Sequence, residues 1–163
     1  RFQALERRVV DWRWKLRNYT RRLSVVHGDF HPWNVLVRKE GAGFEFSVLD
    51  RSRGELGEPA DDVSTMAINF LLFGLYGQTG APRLSGDFLT LYTAFWEKYL
   101  ELTGDEEILD VIAPFFVFRG LVIASPQWYP HHPEAVRAGL LRFLERVLEE
   151  ERFDWRAINK YLE

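Results

Sequence analysis

At 163 residues, with 47% hydrophobic and 15% aromatic content, the chain is long enough to bury one sizeable core, and a single domain over residues 1–163 is expected. A formal net charge of -3 gives no global attraction to nucleic acid or to anionic lipid, so neither is expected as a partner. With no cysteine there can be no disulfide framework and no thiolate metal site, and a reducing cytoplasmic compartment is the expected location.

Residues 4–23 carry Leu5, Val9, Trp12, Leu16, Tyr19 and Leu23 at steps of three and four, the pattern of an amphipathic helix. Between Arg1 and Arg22 stand eight basic and two acidic residues, read here as a solvated basic face rather than a nucleic-acid surface. This 1–23 segment lacks the basic-then-apolar layout of a signal peptide. The chain opens at Arg1 although its one methionine is Met66, and a preceding segment is expected.

A β-branched run at 24–27, the polar stretch 28–34, a strand at 35–37, a turn at Gly41-Ala42-Gly43 and a strand at 44–49 follow. A loop punctuated by Gly54, Gly57 and Pro59 completes a small β block over 24–61. Residues 62–163 read as a helical region: helices over 62–75, 86–102, 106–124, 133–151 and, short, 155–162. Asp105 is a candidate N-cap, and Pro133 suits a first helical position. The apolar runs 70–75 and 115–122 are short or interrupted by Arg119, so no membrane span is expected.

Between two hydrophobic strands, where a tight turn would suffice, the sequence places Gly28-Asp29-Phe30-His31-Pro32-Trp33-Asn34, and Asp50 follows the next strand. Loops at strand ends are where function concentrates. Together with His27 the stretch matches, in register, the H-R-D-L-x-x-x-N catalytic loop of kinases, which is followed after a hairpin by a metal-binding Asp. With Gly28 in the second position and His31 in the fifth, it resembles the aminoglycoside phosphotransferase and choline kinase-like family more than a protein kinase. The resemblance implies an α+β fold like the C-terminal lobe of a kinase, a β block carrying the catalytic loop and then a mainly helical bundle. It also implies ATP or GTP as donor, Mg²⁺, and as acceptor a hydroxyl of a small molecule that is aminoglycoside-like, a sugar or an amino alcohol.

Phosphoryl transfer needs a hydroxyl held in line with a γ-phosphate and cations to neutralise charge on the phosphate oxygens. Asp29 would orient that hydroxyl and take its proton, and Asn34 and Asp50 offer the hard oxygen ligands that suit Mg²⁺. The resemblance assigns the same three roles. It also implies that His27 supports the loop from behind, that His31 replaces a kinase lysine facing the transferred phosphate, and that Asp62 braces the loop through backbone N–H groups. A helix N-cap is the plain alternative for Asp62. In these families an aromatic residue usually follows the metal-binding Asp; here Arg51 does. No G-x-G-x-x-G occurs, so the family's nucleotide lobe is expected before residue 1, and these residues alone are expected to be inactive.

Two other readings stay open. His27, Asp29 and His31 alternate and, on an extended segment, could share a zinc ion for hydrolysis. A non-catalytic kinase-like binding module is the second, with Arg51 its best support. For the acceptor, Asp87 and Glu97, with Glu101, Asp105, Glu106, Glu107 and Asp110, stand where the family lines its acceptor pocket. Acidic walls would suit a polycationic aminoglycoside, although solvated helix faces explain each residue singly. Trp128 and Tyr129, with His131 and His132, form an aromatic loop that could hold a choline-like cation.

Overall fold

The computed structural model describes residues 2–51, 56–78 and 80–163. The expected α+β class is found: two small antiparallel sheets and a predominantly helical remainder. Helix α1 (Phe2–Leu16) runs into a 3₁₀ turn at Arg17–Arg22. The expected single helix to residue 23 is broken at Tyr19 (φ -112°, ψ 18°), within Asn18-Tyr19-Thr20, three weak helix formers.

Strand β1 (Ser24–Val25) pairs with β4 (Leu56–Gly57), a strand that the loop reading of 52–61 had not expected; residues 52–55 of that loop, Gly54 among them, lie outside the described residues. Strands β2 (Val35–Glu40) and β3 (Gly43–Val48) form a hairpin whose two-residue turn holds Gly41 at φ 58°. One hairpin face carries Val35, Val37, Phe44, Phe46 and Val48, and all of these except Val35 are exposed.

Helix α2 (Ala60–Leu75) is the axis of the core, with eleven buried residues. Around it pack α3 (Gly86–Thr103), α4 (Ala113–Ala124) and α5 (Glu134–Val147), and a 3₁₀ segment at Trp155–Tyr161 closes the far end with Trp155, Ile158 and Tyr161 buried. Helix α3 stops at Gly104, whose left-handed backbone (φ 64°) lets its N–H reach the Leu100 carbonyl. The helix expected over 106–124 divides into a 3₁₀ turn, Glu106–Asp110, and α4. Pro114 is the reason: it has no N–H and its ring would collide with a preceding helical turn, so it can begin a helix but not continue one. Among the described residues no helix is long and apolar enough to cross a membrane.

The basic segment is answered by the chain's own acids. Arg8 pairs with Glu149 at 3.2 Å, and Lys15 donates to the Glu151 carbonyl at 3.1 Å. Arg21 pairs with Glu107. Arg22 has a side chain only 6% exposed and grips the Glu58 carboxylate (2.9–3.1 Å) and Asp105 (Nη2 to Oδ2, 2.7 Å). Tyr99 adds a hydroxyl to the same Asp105 oxygen at 3.0 Å. Burial opposes ionisation of Asp105, but the Arg22 and Tyr99 donors outweigh it and hold the carboxyl below its usual range. Asp105 is therefore an ion-pair partner, and no side-chain cap of the following turn is made.

Candidate active site

The loop 28–34 leaves β1 through Gly28, whose φ of 84° makes a sharp bend that a side-chain-bearing residue would resist. The Asp62 carboxylate, in the first turn of α2, spans that bend: Oδ2 accepts from the His27 N–H at 2.6 Å and Oδ1 from the Gly28 N–H at 2.8 Å. Asp62 thus lies inside the helix rather than at its cap position, Pro59.

His27 is buried. Its Nε2 donates to the Leu49 carbonyl at 2.7 Å, and its Nδ1 accepts the Asp29 N–H at 3.3 Å, so both ring nitrogens are engaged by backbone groups. That geometry removes the basis of a shared zinc ion: Gly28 breaks the extended segment, and His27 turns its nitrogens to the backbone. Among the described residues no three His, Cys, Asp or Glu side chains are grouped to hold a metal ion.

Asn34 donates its amide N–H to the Asp29 carbonyl at 3.0 Å, which leaves the carboxamide oxygen as the ligand it can offer. Its backbone carbonyl accepts the Leu49 N–H at 2.9 Å, extending the hairpin past the Val35–Val48 pair. Asp50, the next residue, therefore stands at the same end of the hairpin as Asn34. It is also the one non-glycine among the described residues with positive φ, 57°. Asp and Asn tolerate this region best, and such strain persists where surrounding structure enforces it. The two hard oxygen donors fit a magnesium ion that keeps water and phosphate as its other ligands. Arg51 turns its Nε to the Val26 carbonyl, 3.4 Å away.

Arg119, near the middle of α4, organises the other side. Its Nε and Nη2 form a fork on Asp61 at 2.9 and 2.8 Å, Nη2 also reaches the Gly28 carbonyl at 2.7 Å, and Nη1 donates to Asp29 Oδ1 at 3.2 Å. With both side chains 12–13% exposed, the guanidinium fixes Asp29 against α2 and α4. His31 Nε2 lies 3.7 Å from Asp29 Oδ2, and its Nδ1 is buried with no hydrogen-bond partner among the described residues. Neither Arg119 nor Asp61 was singled out from sequence as a site residue. The available signal was a lone charge inside the apolar stretch APFFVFRGLVIA, which a buried helix can hold only with a partner.

Asp29, His31 and Arg119 border a cavity of about 540 Å³ between α2, α4 and the 125–132 loop. Trp33, Phe73 and Tyr129 supply aromatic walls, and Asn69 and His132 supply polar groups. Of the four residues proposed for acceptor binding, only Tyr129 lines it. Trp128 is 67% exposed and outside it. Asp87 and Glu97 are solvent-facing on α3, because that helix turns Tyr92 and Trp96 inward. The other acids of this region serve as ion-pair partners: Glu106 and Asp110 hold Arg152 at 2.9 and 2.8 Å, and Glu101 pairs with Lys98. Among the described residues no acidic wall faces the cavity, whose lining carries the single carboxylate Asp29.

A carboxylate held by a guanidinium at a cavity rim, with two oxygen donors at the end of a neighbouring hairpin, can orient a hydroxyl and hold a metal-bound phosphate. The sequence model of the phosphotransferase enzyme family matches residues 1–102, more than half of the chain. No curated protein and no solved structure matches it.

Proposed function

From the premise that the chain belongs to the phosphotransferase enzyme family, we propose that it carries the acceptor side and the metal ligands of an ATP-dependent small-molecule kinase. The carrying observation is that Asp29, on the lining of the cavity, is held by Arg119, which also grips the Gly28 carbonyl. In the reaction assigned to it, the acceptor hydroxyl oxygen forms a bond to the γ-phosphorus as the bond to the β-bridging oxygen breaks. The hydroxyl proton passes to Asp29 and then to solvent, and the leaving group departs as ADP.

Asp29 orients the hydroxyl for in-line approach, with Arg119 holding one of its carboxylate oxygens. His31 sits within reach of Asp29 and can donate to a phosphate oxygen from its ring. Asn34 and Asp50 would hold Mg²⁺, which when bound neutralises charge on the phosphate oxygens. His27 and Asp62 keep the loop bent. These residues include no glycine-rich cradle with a strand lysine, so we also assign the nucleotide to a further lobe, for which the exposed apolar face of the β2–β3 hairpin is a suitable seat.

The test is acceptor-stimulated ADP formation by the full-length protein during Mg²⁺ titration. Asp50→Asn should raise the Mg²⁺ needed for half-maximal rate about tenfold or more, in line with the loss of an anionic ligand. An unchanged Mg²⁺ requirement in that variant would remove Asp50 from the metal site, and no ADP formation with any hydroxylated acceptor would overturn the kinase reading.

A further inference from the structure

The cavity beside Asp29 has a composition that selects among hydroxylated acceptors. Its volume of about 540 Å³ suits a mono- to disaccharide-sized molecule. Trp33 and Phe73 rings meet at 5.3 Å between centroids, tilted by 53°, and Tyr129 stacks on His132 at 5.0 Å with a 9° interplanar angle, giving an angled aromatic corner and one flat stacked wall.

Polar groups on the lining lack partners or have capacity left. His31 Nδ1 and His132 Nε2 are both buried with no partner among the described residues. Asn69 donates its amide to the Thr65 carbonyl at 2.8 Å, leaving its carboxamide oxygen as an acceptor. Buried polar atoms without partners are costly, and a ligand that supplies hydroxyls relieves them. The Tyr76 hydroxyl engages His132 Nδ1. Burial, and then Arg137, hold the His132 imidazole below its usual pKa.

Charge excludes the alternatives. Asp29 is the one carboxylate on the lining among the described residues, and Arg119 offsets it. A polycation would need several carboxylates, yet the acids of α3 and the following turn face solvent or serve other cations. A quaternary ammonium could rest on the aromatic walls but has no hydroxyl array to satisfy the two histidines and Asn69. An anion would find Arg119 already engaged by Asp61 and Asp29.

We propose that this cavity binds an uncharged, polyhydroxylated ring, a sugar or the sugar of a larger molecule, with C–H faces against Trp33, Phe73 and Tyr129 and hydroxyls on His31, His132 and Asn69. The inference rests on the phosphotransferase reading only for the hydroxyl that reacts.

Two measurements on the full-length protein separate the claims. The first is calorimetric titration with a panel of neutral pentoses, hexoses and disaccharides, against kanamycin and choline. The second is phosphate transfer from Mg²⁺-ATP to the same panel. A neutral sugar should bind more tightly than kanamycin or choline, and Tyr129→Ala, at an exposed position that leaves the fold intact, should weaken it about tenfold. Asp87→Asn with Glu97→Gln should leave that affinity unchanged.

Tighter binding or faster phosphorylation of kanamycin or choline would overturn the sugar assignment while leaving the kinase reading standing. So would the absence of binding by every neutral sugar. Sugar binding that Tyr129→Ala weakens, without transfer to any acceptor, would support the cavity assignment and sink the kinase reading.

Discussion

Arg119 is the residue on which the loop, α2 and α4 converge. Its five N–H donors make four hydrogen bonds, to Asp61, Asp29 and the Gly28 carbonyl, and a planar fork is needed to reach all three. Removing it leaves two mostly buried carboxylates without their shared cation. Arg119→Ala should therefore cost about 3 kcal/mol by chemical denaturation, the low end for a broken buried pair, since both ends keep some water. Arg119→Lys should restore much of the stability but little of kcat, because a single ammonium cannot fork Asp61 and still fix Asp29. Wild-type kcat in the lysine variant would contradict the positioning role. The loop's other support is Asp62: two charge-assisted bonds to consecutive backbone N–H groups hold a bend at which Gly28 sits at positive φ.

Helix α4 can deliver Arg119 only because it lies close to its neighbours. Gly120 is the contact point: a Cβ there would stand 2.5 Å from Leu144 Cδ2 and 3.0 Å from Ile68 Cδ1. Gly120→Ala should push α4 away from α2 and α5, lowering stability by about 1–3 kcal/mol, and should lower kcat because Arg119 moves with the helix. Gly139→Ala is the control: on α5 a Cβ would meet Leu75 Cδ1 at 3.2 Å, a milder clash that does not involve α4, so stability should fall while kcat holds. Equal loss of kcat in both variants would argue against transmission through α4.

At this scale, local signals decided what could be read. The stripe Leu5, Val9, Trp12 and Leu16 does face the core, and Gly104 does end α3, because periodicity and helix caps act over neighbouring residues. Pro114 was an equally local signal, and it places the break between the 3₁₀ turn and α4 that a purely periodic reading runs through. Strand β4 has two residues and owes its existence to β1 some thirty positions away, which no local pattern encodes.

Over the whole molecule, the candidate site is built from two sources of different legibility. The loop residues Asp29, Asn34 and Asp50 stand out in the sequence because their spacing is that of a known chemical constellation. What surrounds them comes from distant helices. Arg119 reaches Asp61 across 58 positions, and Arg22 reaches Asp105 across 83, so their partners emerge only when the helices pack. The acids 101–110 illustrate the same limit: as a sequence they resemble a cation-binding wall, and in three dimensions they answer the chain's own Arg21, Arg22, Lys98 and Arg152.

The fold places the aromatic cavity on one side of Asp29 and the Asn34–Asp50 end of the hairpin on the loop that carries it. The central claim, that Asp29 takes the proton from an acceptor hydroxyl during transfer, is tested most directly by following labelled γ-phosphate from ATP to the acceptor in the full-length protein and its Asp29→Asn variant. Loss of this proton acceptor should lower kcat about 10²–10⁴-fold with acceptor binding retained, the range for a positioned acid–base group. Transfer at the wild-type rate by Asp29→Asn would contradict it.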